Sequence, residues 1–149
     1  MRGCKKLSIL IIGMSIVLLT GCGQNLENLG EEFTEEVNTL EGVEITVDES
    51  LDASTGITYT LSNQSDKDLN YGQDYGLQKE KNGKWYDVEP ENPVAITMEL
   101  LWLPAGNTDT LELSWESSYG ELPAGHYRIL KNVSDNENGY YLAGEFQVD

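Results

Sequence analysis

From Val43 onward the sequence predicts an all-β fold of about eight short strands, an antiparallel sandwich or a barrel. Three observations carry that expectation. Apolar residues recur with a period of two over run after run, the signature of a strand with one buried face. Clusters of Gly, Pro, Asn and Asp separate the runs at short intervals. Finally, no stretch after Val43 keeps apolar residues on the three-four spacing of an amphipathic helix.

Taken in order, Val43, Ile45 and Val47 alternate with Glu44, Thr46 and Asp48, and Ile57, Tyr59 and Leu61 with Thr58, Thr60 and Ser62. Tyr75–Lys79 and Lys84–Val88 flank Asn82-Gly83, a pair that tolerates positive φ and so signals a tight hairpin. Pro90 and Pro93 bracket a loop. Ala95–Leu103 reads as a strand with Ile96, Met98, Leu100 and Trp102 on its core face, and Pro104–Asn107 turns the chain. Leu111, Leu113 and Trp115 form the next inward set. Tyr127–Val133 and Tyr140–Val148 complete the series, the last with Tyr140, Leu142, Phe146 and Val148 on one side.

Ahead of this span the chain changes character. Arg2, Lys5 and Lys6 precede an apolar run from Leu7 to Leu19, the layout of a secretory signal peptide. The run is shorter than the roughly 20 residues a spanning helix needs. Leu19-Thr20-Gly21-Cys22 resembles the lipobox of bacterial lipoproteins. That resemblance implies a signal peptide over 1–21, a diacylglycerol on the Cys22 thiol, Cys22 as first mature residue, and a location on the outer face of the cell membrane. Residues 22–41 are expected to form an acidic tether. Leu26, Leu29, Phe33, Val37 and Leu40 fall at helical spacing, but like charges at Glu27–Glu31, Glu31–Glu35 and Glu32–Glu36 oppose a stable helix. A flexible or transiently helical leash follows, with the folded domain over 42–149.

All 26 acids but only six of the nine bases follow Cys22, a balance of −20 against −17 for the whole chain. Such a surface repels nucleic acid and anionic lipid head groups, since both bind through basic patches. Cys4 leaves with the signal and Cys22 takes the lipid, so no disulfide or thiolate chemistry remains.

Leu122-Pro123-Ala124-Gly125-His126-Tyr127 resembles the tyrosine corner of Greek-key immunoglobulin-like domains, in which a Tyr hydroxyl bonds to backbone upstream. With Tyr75-Gly76-Leu77, Asn82–Tyr86, Trp115 and Tyr119-Gly120, these residues make Val43–Val148 similar to the bacterial immunoglobulin-like domains of small Gram-positive lipoproteins. The resemblance decides for the sandwich over the barrel: it implies an immunoglobulin-like Greek-key antiparallel sandwich of about seven to nine strands, with Leu122, Pro123, Gly125 and Tyr127 as structural residues, and implies no reaction.

Chemistry-bearing patterns are few. Asp66, Asp68, Asn70 and Asp74 place oxygens at positions 1, 3, 5 and 9 of an EF-hand-like loop, a candidate Ca2+ site. Tyr71 stands where that loop needs Gly, and Leu77 where it needs a bidentate Glu. Trp85 and Tyr86 are candidate ligand-binding aromatics, one of them facing out because neighbours on a strand point oppositely. Trp102 and Trp115 are expected in the core. The single histidine, His126, sits in the corner, and no nucleophile elbow or His-Glu-x-x-His motif occurs. The function expected is a non-catalytic, membrane-anchored binding module for a protein, peptide or glycan, with no cofactor beyond the covalent lipid. The alternatives are a cation- or small-ligand-binding accessory lipoprotein and a protease inhibitor.

Overall fold

The computed structural model describes residues 28–149. In chain order the elements are β1 (Leu29–Glu32), β2 (Val43–Val47), β3 (Gly56–Asn63), β4 (Leu69–Gly72), β5 (Gly76–Lys81), β6 (Lys84–Val88), β7 (Leu100–Leu103), β8 (Thr108–Ser114), the single helical turn α1 (Glu116–Tyr119), β9 (Gly125–Ser134) and β10 (Gly139–Val148). Strands β1-β6-β5-β9-β4-β7 form one sheet in that order, and β10 runs along the other side of β9; β2-β3-β8 form the second sheet. Every strand pair is antiparallel.

The period-two pattern produces this arrangement directly. In β2 the residues Val43, Ile45 and Val47 are buried and Glu44 and Thr46 exposed, and β3 keeps the same alternation. Between the sheets lie Leu61, Leu69, Leu77, Leu103, Trp115, Ile129, Val133 and Leu142, all removed from solvent. Asn82 and Gly83 take φ of 54° and 77°, closing the β5–β6 hairpin with Lys81 opposite Lys84. Where β10 meets β2, Gly144 admits no side chain: a Cβ there would run into Ile45.

Polar ties stitch the two sheets together. The Tyr71 hydroxyl on β4 donates to Asp109 Oδ2 on β8 at 2.6 Å. Burial, reinforced by the Asp109 charge, raises the Tyr59 phenol to about 12. The Asn63 amide, fully buried, donates to the Lys67 and Leu103 carbonyls, pinning the β3–β4 loop to the end of β7.

Three expectations need correction. First, residues 28–41 do not form a free or helical leash. Leu29–Glu32 is a strand on the edge of β6, with Leu29 opposite Val88. Val37 bridges to Tyr141, and the Asn38 side chain bonds both ways to the Ala143 backbone. The sheet edges supply partners that local charge repulsion alone could not foresee. Second, the strand expected over Ala95–Leu103 is confined to Leu100–Leu103, and its phase is reversed. Leu101 and Leu103 turn inward, while Ile96, Met98, Leu100 and Trp102 face solvent. Leu100-Leu101-Trp102-Leu103 is apolar in both phases, so alternation there cannot choose the buried face. Third, one helical turn, α1, follows Trp115, whose carbonyl accepts from Ser118 and Tyr119.

Candidate functional site

Residues 33–38 leave the β6 edge and end bonded to β10, so they strap across the outer face of the large sheet. Under the strap lies Arg128, an outward-facing residue of β9 that is nonetheless buried. Its guanidinium sits 4.3 Å from the centre of the Trp85 ring and 5.5 Å from that of Phe33. Its Nε donates to Gln78 Oε1 at 2.7 Å, and Gln78 Nε2 donates on to Asp87 Oδ1 at 2.8 Å. Burial pulls Arg128 below its ordinary value, opposed by the Glu145 and Asp87 charges. Two aromatic faces and a charged hydrogen bond replace the water it gives up.

Beside this stack, His126 Nδ1 lies 2.5 Å from Glu80 Oε2 and Nε2 lies 3.1 Å from Glu145 Oε2, while its ring meets Trp85 at 5.2 Å. The imidazole thus spans three strands, β5, β9 and β10, and can donate to both carboxylates only when both nitrogens carry protons. The arrangement is a surface clasp. It lacks an adjacent nucleophile that a catalytic base would serve.

Lys131, like Lys79 a further buried base, lies on the core side of β9. Its Nζ donates to the Gly72 and Asp74 carbonyls at 2.7 and 2.6 Å, holding the β4–β5 loop. Burial lowers the amine to about 8, partly offset by Asp74. The unfolded amine keeps its proton to about 10.5, so between pH 8 and 10.5 the unfolded chain binds more protons and stability rises with pH. From pH 8 to 10 we expect Lys131 to add roughly 1–2 kcal/mol, solvent screening allowed for. Urea unfolding across that range, compared with Lys131→Met, reads the effect; a constant difference between the two proteins would refute it.

The residues singled out in the sequence fall as follows. Leu19, Thr20, Gly21 and Cys22 lie outside the described residues. Asp66, Asp68, Asn70 and Asp74 are dispersed rather than convergent. Asp68 accepts from the Ala105 amide at 3.0 Å, and Asn70 lies within β4 and donates to Asn136. Asp74 reaches back over Gly72. Among the described residues, no group of three or more His, Cys, Asp or Glu side chains is placed to hold a metal ion. Trp85 and Tyr86 are both half-buried, so neither stands out as a free platform. Trp85 gives one ring face to Arg128, an engagement its sequence neighbours do not announce. The Tyr127 hydroxyl donates to the Pro123 carbonyl at 2.7 Å, and Tyr127 itself is buried. A concavity of about 600 Å3 lies between the β2–β3 loop and the end of β10. Of the four acids that line it, Asp48 and Asp52 are engaged by Ser50 and Ser54 of the same loop.

Apart from Leu51, the exposed large apolar side chains among the described residues are the four that local alternation places in the core. Ile96 is 50% exposed, Met98 97%, Leu100 73% and Trp102 64%. Leu100 and Trp102 stand on β7, which pairs with β4 alone and so ends the large sheet. Opposite Leu100 is Gly72, which has no side chain to cover it.

Residues 39–147 match a protein-family model described as a bacterial Ig-like domain. No curated protein matches the chain.

Proposed function

Since the chain belongs to the bacterial Ig-like domain family, we propose that it is a non-catalytic interaction module, carried on the outer face of the cell membrane by a diacylglycerol on Cys22. The observation that carries the interaction role is the exposed run Ile96, Met98, Leu100 and Trp102, whose last two residues stand on the edge strand β7. Exposed apolar surface of this kind, rimmed by polar residues, marks a contact with another molecule or with a membrane. The anchor rests on Leu19-Thr20-Gly21-Cys22 behind a basic head and an apolar run. Two acyl chains supply the two hydrophobic signals that stable anchoring requires. Protein, peptide and glycan partners suit the acidic surface, whereas nucleic acid does not.

The test is made on the full-length protein in a host that processes lipoproteins. Cys22 is expected to carry a diacylglycerol mass and the protein to sediment with membranes, while Cys22→Ala loses both. In-membrane cross-linking and affinity capture, with Cys22→Ala as control, then isolate what the anchored form meets. Equal fractionation of the two forms would sink the anchor.

A further inference from the structure

We infer that Ile96, Met98, Leu100 and Trp102 seat the domain on the lipid surface itself, so that the protein touches the membrane twice, through its lipid and through the segment 96–102 that leads into and along β7. This deepens the reading above and rests on the anchor at Cys22. Three observations point to lipid as the occupant. The first is charge. In a chain with 26 acids, Pro93–Gly106 carries one charged residue, Glu99, and its carboxylate already accepts from Gln73. A second copy of the chain would bring the same large negative charge to the contact, whereas the stripe itself is nearly uncharged, as a lipid interface demands.

The second is chemistry. Three aliphatic side chains flank a tryptophan, whose ring is apolar and whose N–H still needs water, the combination that favours the boundary between acyl chains and head groups. The third is where the chain leaves the fold. Asn28 bonds both ways to Glu89, and β1 runs antiparallel to β6. At Asn28 the chain thus lies toward the end at which β6 and β7 finish. The pairing of β6 through β5 to β9, and of β7 through β4 to β9, puts Leu29 and Leu100 on the same side of β9. Strand spacing and rise separate them by roughly 10–15 Å in the plane of the sheet. Residues 22–27 span at most about 20 Å. That length is enough to let the stripe reach the bilayer.

The experiment uses full-length, lipidated protein reconstituted into phosphatidylcholine vesicles with brominated acyl chains. Tryptophan emission is compared with that of Trp102→Phe, which removes one of three tryptophans, of which Trp115 is buried and Trp85 is packed on Arg128. The expected result is a loss of emission that vanishes in Trp102→Phe and shrinks in Met98→Glu/Leu100→Glu; both variants alter exposed positions and leave the core intact. Protein that floats with the vesicles but shows no quenching dependent on Trp102 overturns the seating and leaves the anchor standing. Protein that fails to float overturns the anchor and the seating with it. In native membranes a photo-cross-linker at position 98 is expected to label lipid; label on a second copy or on another protein would replace the bilayer by that partner.

Discussion

Trp115→Ala is expected to cost roughly 3–5 kcal/mol, as does truncating a large aromatic in a packed core. Trp115 is fully buried, and its indole N–H donates to the Ser54 carbonyl at 3.1 Å. Its ring stacks on Phe146 at 5.7 Å, and Phe146 stacks in turn on Tyr127 at 5.8 Å, the tyrosine that closes the corner on Pro123. Alanine would leave a void at the head of this column and take one of two donors from the Ser54 carbonyl, which keeps the Leu122 amide at 2.9 Å. A domain of ordinary stability holds about 5–15 kcal/mol in all, so the variant should lie near its unfolding threshold at room temperature. Trp115→Phe separates the contributions by keeping most of the ring and losing the hydrogen bond, which costs about 1 kcal/mol of the total. The internal control is Trp102→Ala, the same chemical change on the exposed stripe, for which a change within about 0.5 kcal/mol is expected. Urea unfolding followed by far-ultraviolet circular dichroism measures all three. Equal losses at the two tryptophans would contradict their opposite placement.

Those two tryptophans also show where the sequence is legible and where it is silent. Trp115 ends a run in which Leu111 and Leu113 alternate with Glu112 and Ser114, so polar residues mark the outer face and leave one phase for the core. Around Trp102 both phases are apolar, and the choice is made by β4, which pairs with Leu100–Leu103 and turns Leu101 and Leu103 toward Leu69 and Tyr71. That contact is long-range and invisible in a local pattern. The Asn82-Gly83 hairpin and the Tyr127 corner were legible because each is built within a few residues and depends on specific backbone geometry. The candidate calcium residues read as a loop only if Asn70 is outside a strand; pairing of β4 with both β7 and β9 places it inside one. Arg128 was hidden for a related reason. Its position on β9 alternates as an outward residue should, and the segment that covers it comes from 33–38, some ninety residues upstream. Neither segment carries a motif that names the other.

Arg128→Ala is expected to release that strap. The substitution removes two cation–π contacts, at about 0.5–2 kcal/mol each, and the donor to Gln78, a charge-assisted bond of about 1.5–3 kcal/mol. Because these groups share one stack their losses do not add, and roughly 2–4 kcal/mol overall is expected. Gln78 is fully buried, so its orphaned oxygen must take in water or turn away from Asp87. Arg128→Lys keeps the charge but loses the planar face that fits between Phe33 and Trp85, and it should recover less than half of the loss. The local reading is hydrogen exchange at Phe33 and Asn38, whose amides donate to Trp85 and Tyr141. Both should exchange faster than amides of β3, which belongs to the other sheet. If stability falls while these amides stay protected, Arg128 serves the sheet and not the strap. The strap and β1 both precede the span shared with the family, which starts at 39. β1 keeps its own pairing with β6, and Asn28 its bonds to Glu89, when residues 33–38 are released. The length of chain between the expected anchor and the fold is then unchanged, so Trp102 quenching in brominated vesicles should be the same in Arg128→Ala as in the parent protein, and a fall would mean that β1 leaves β6 together with the strap.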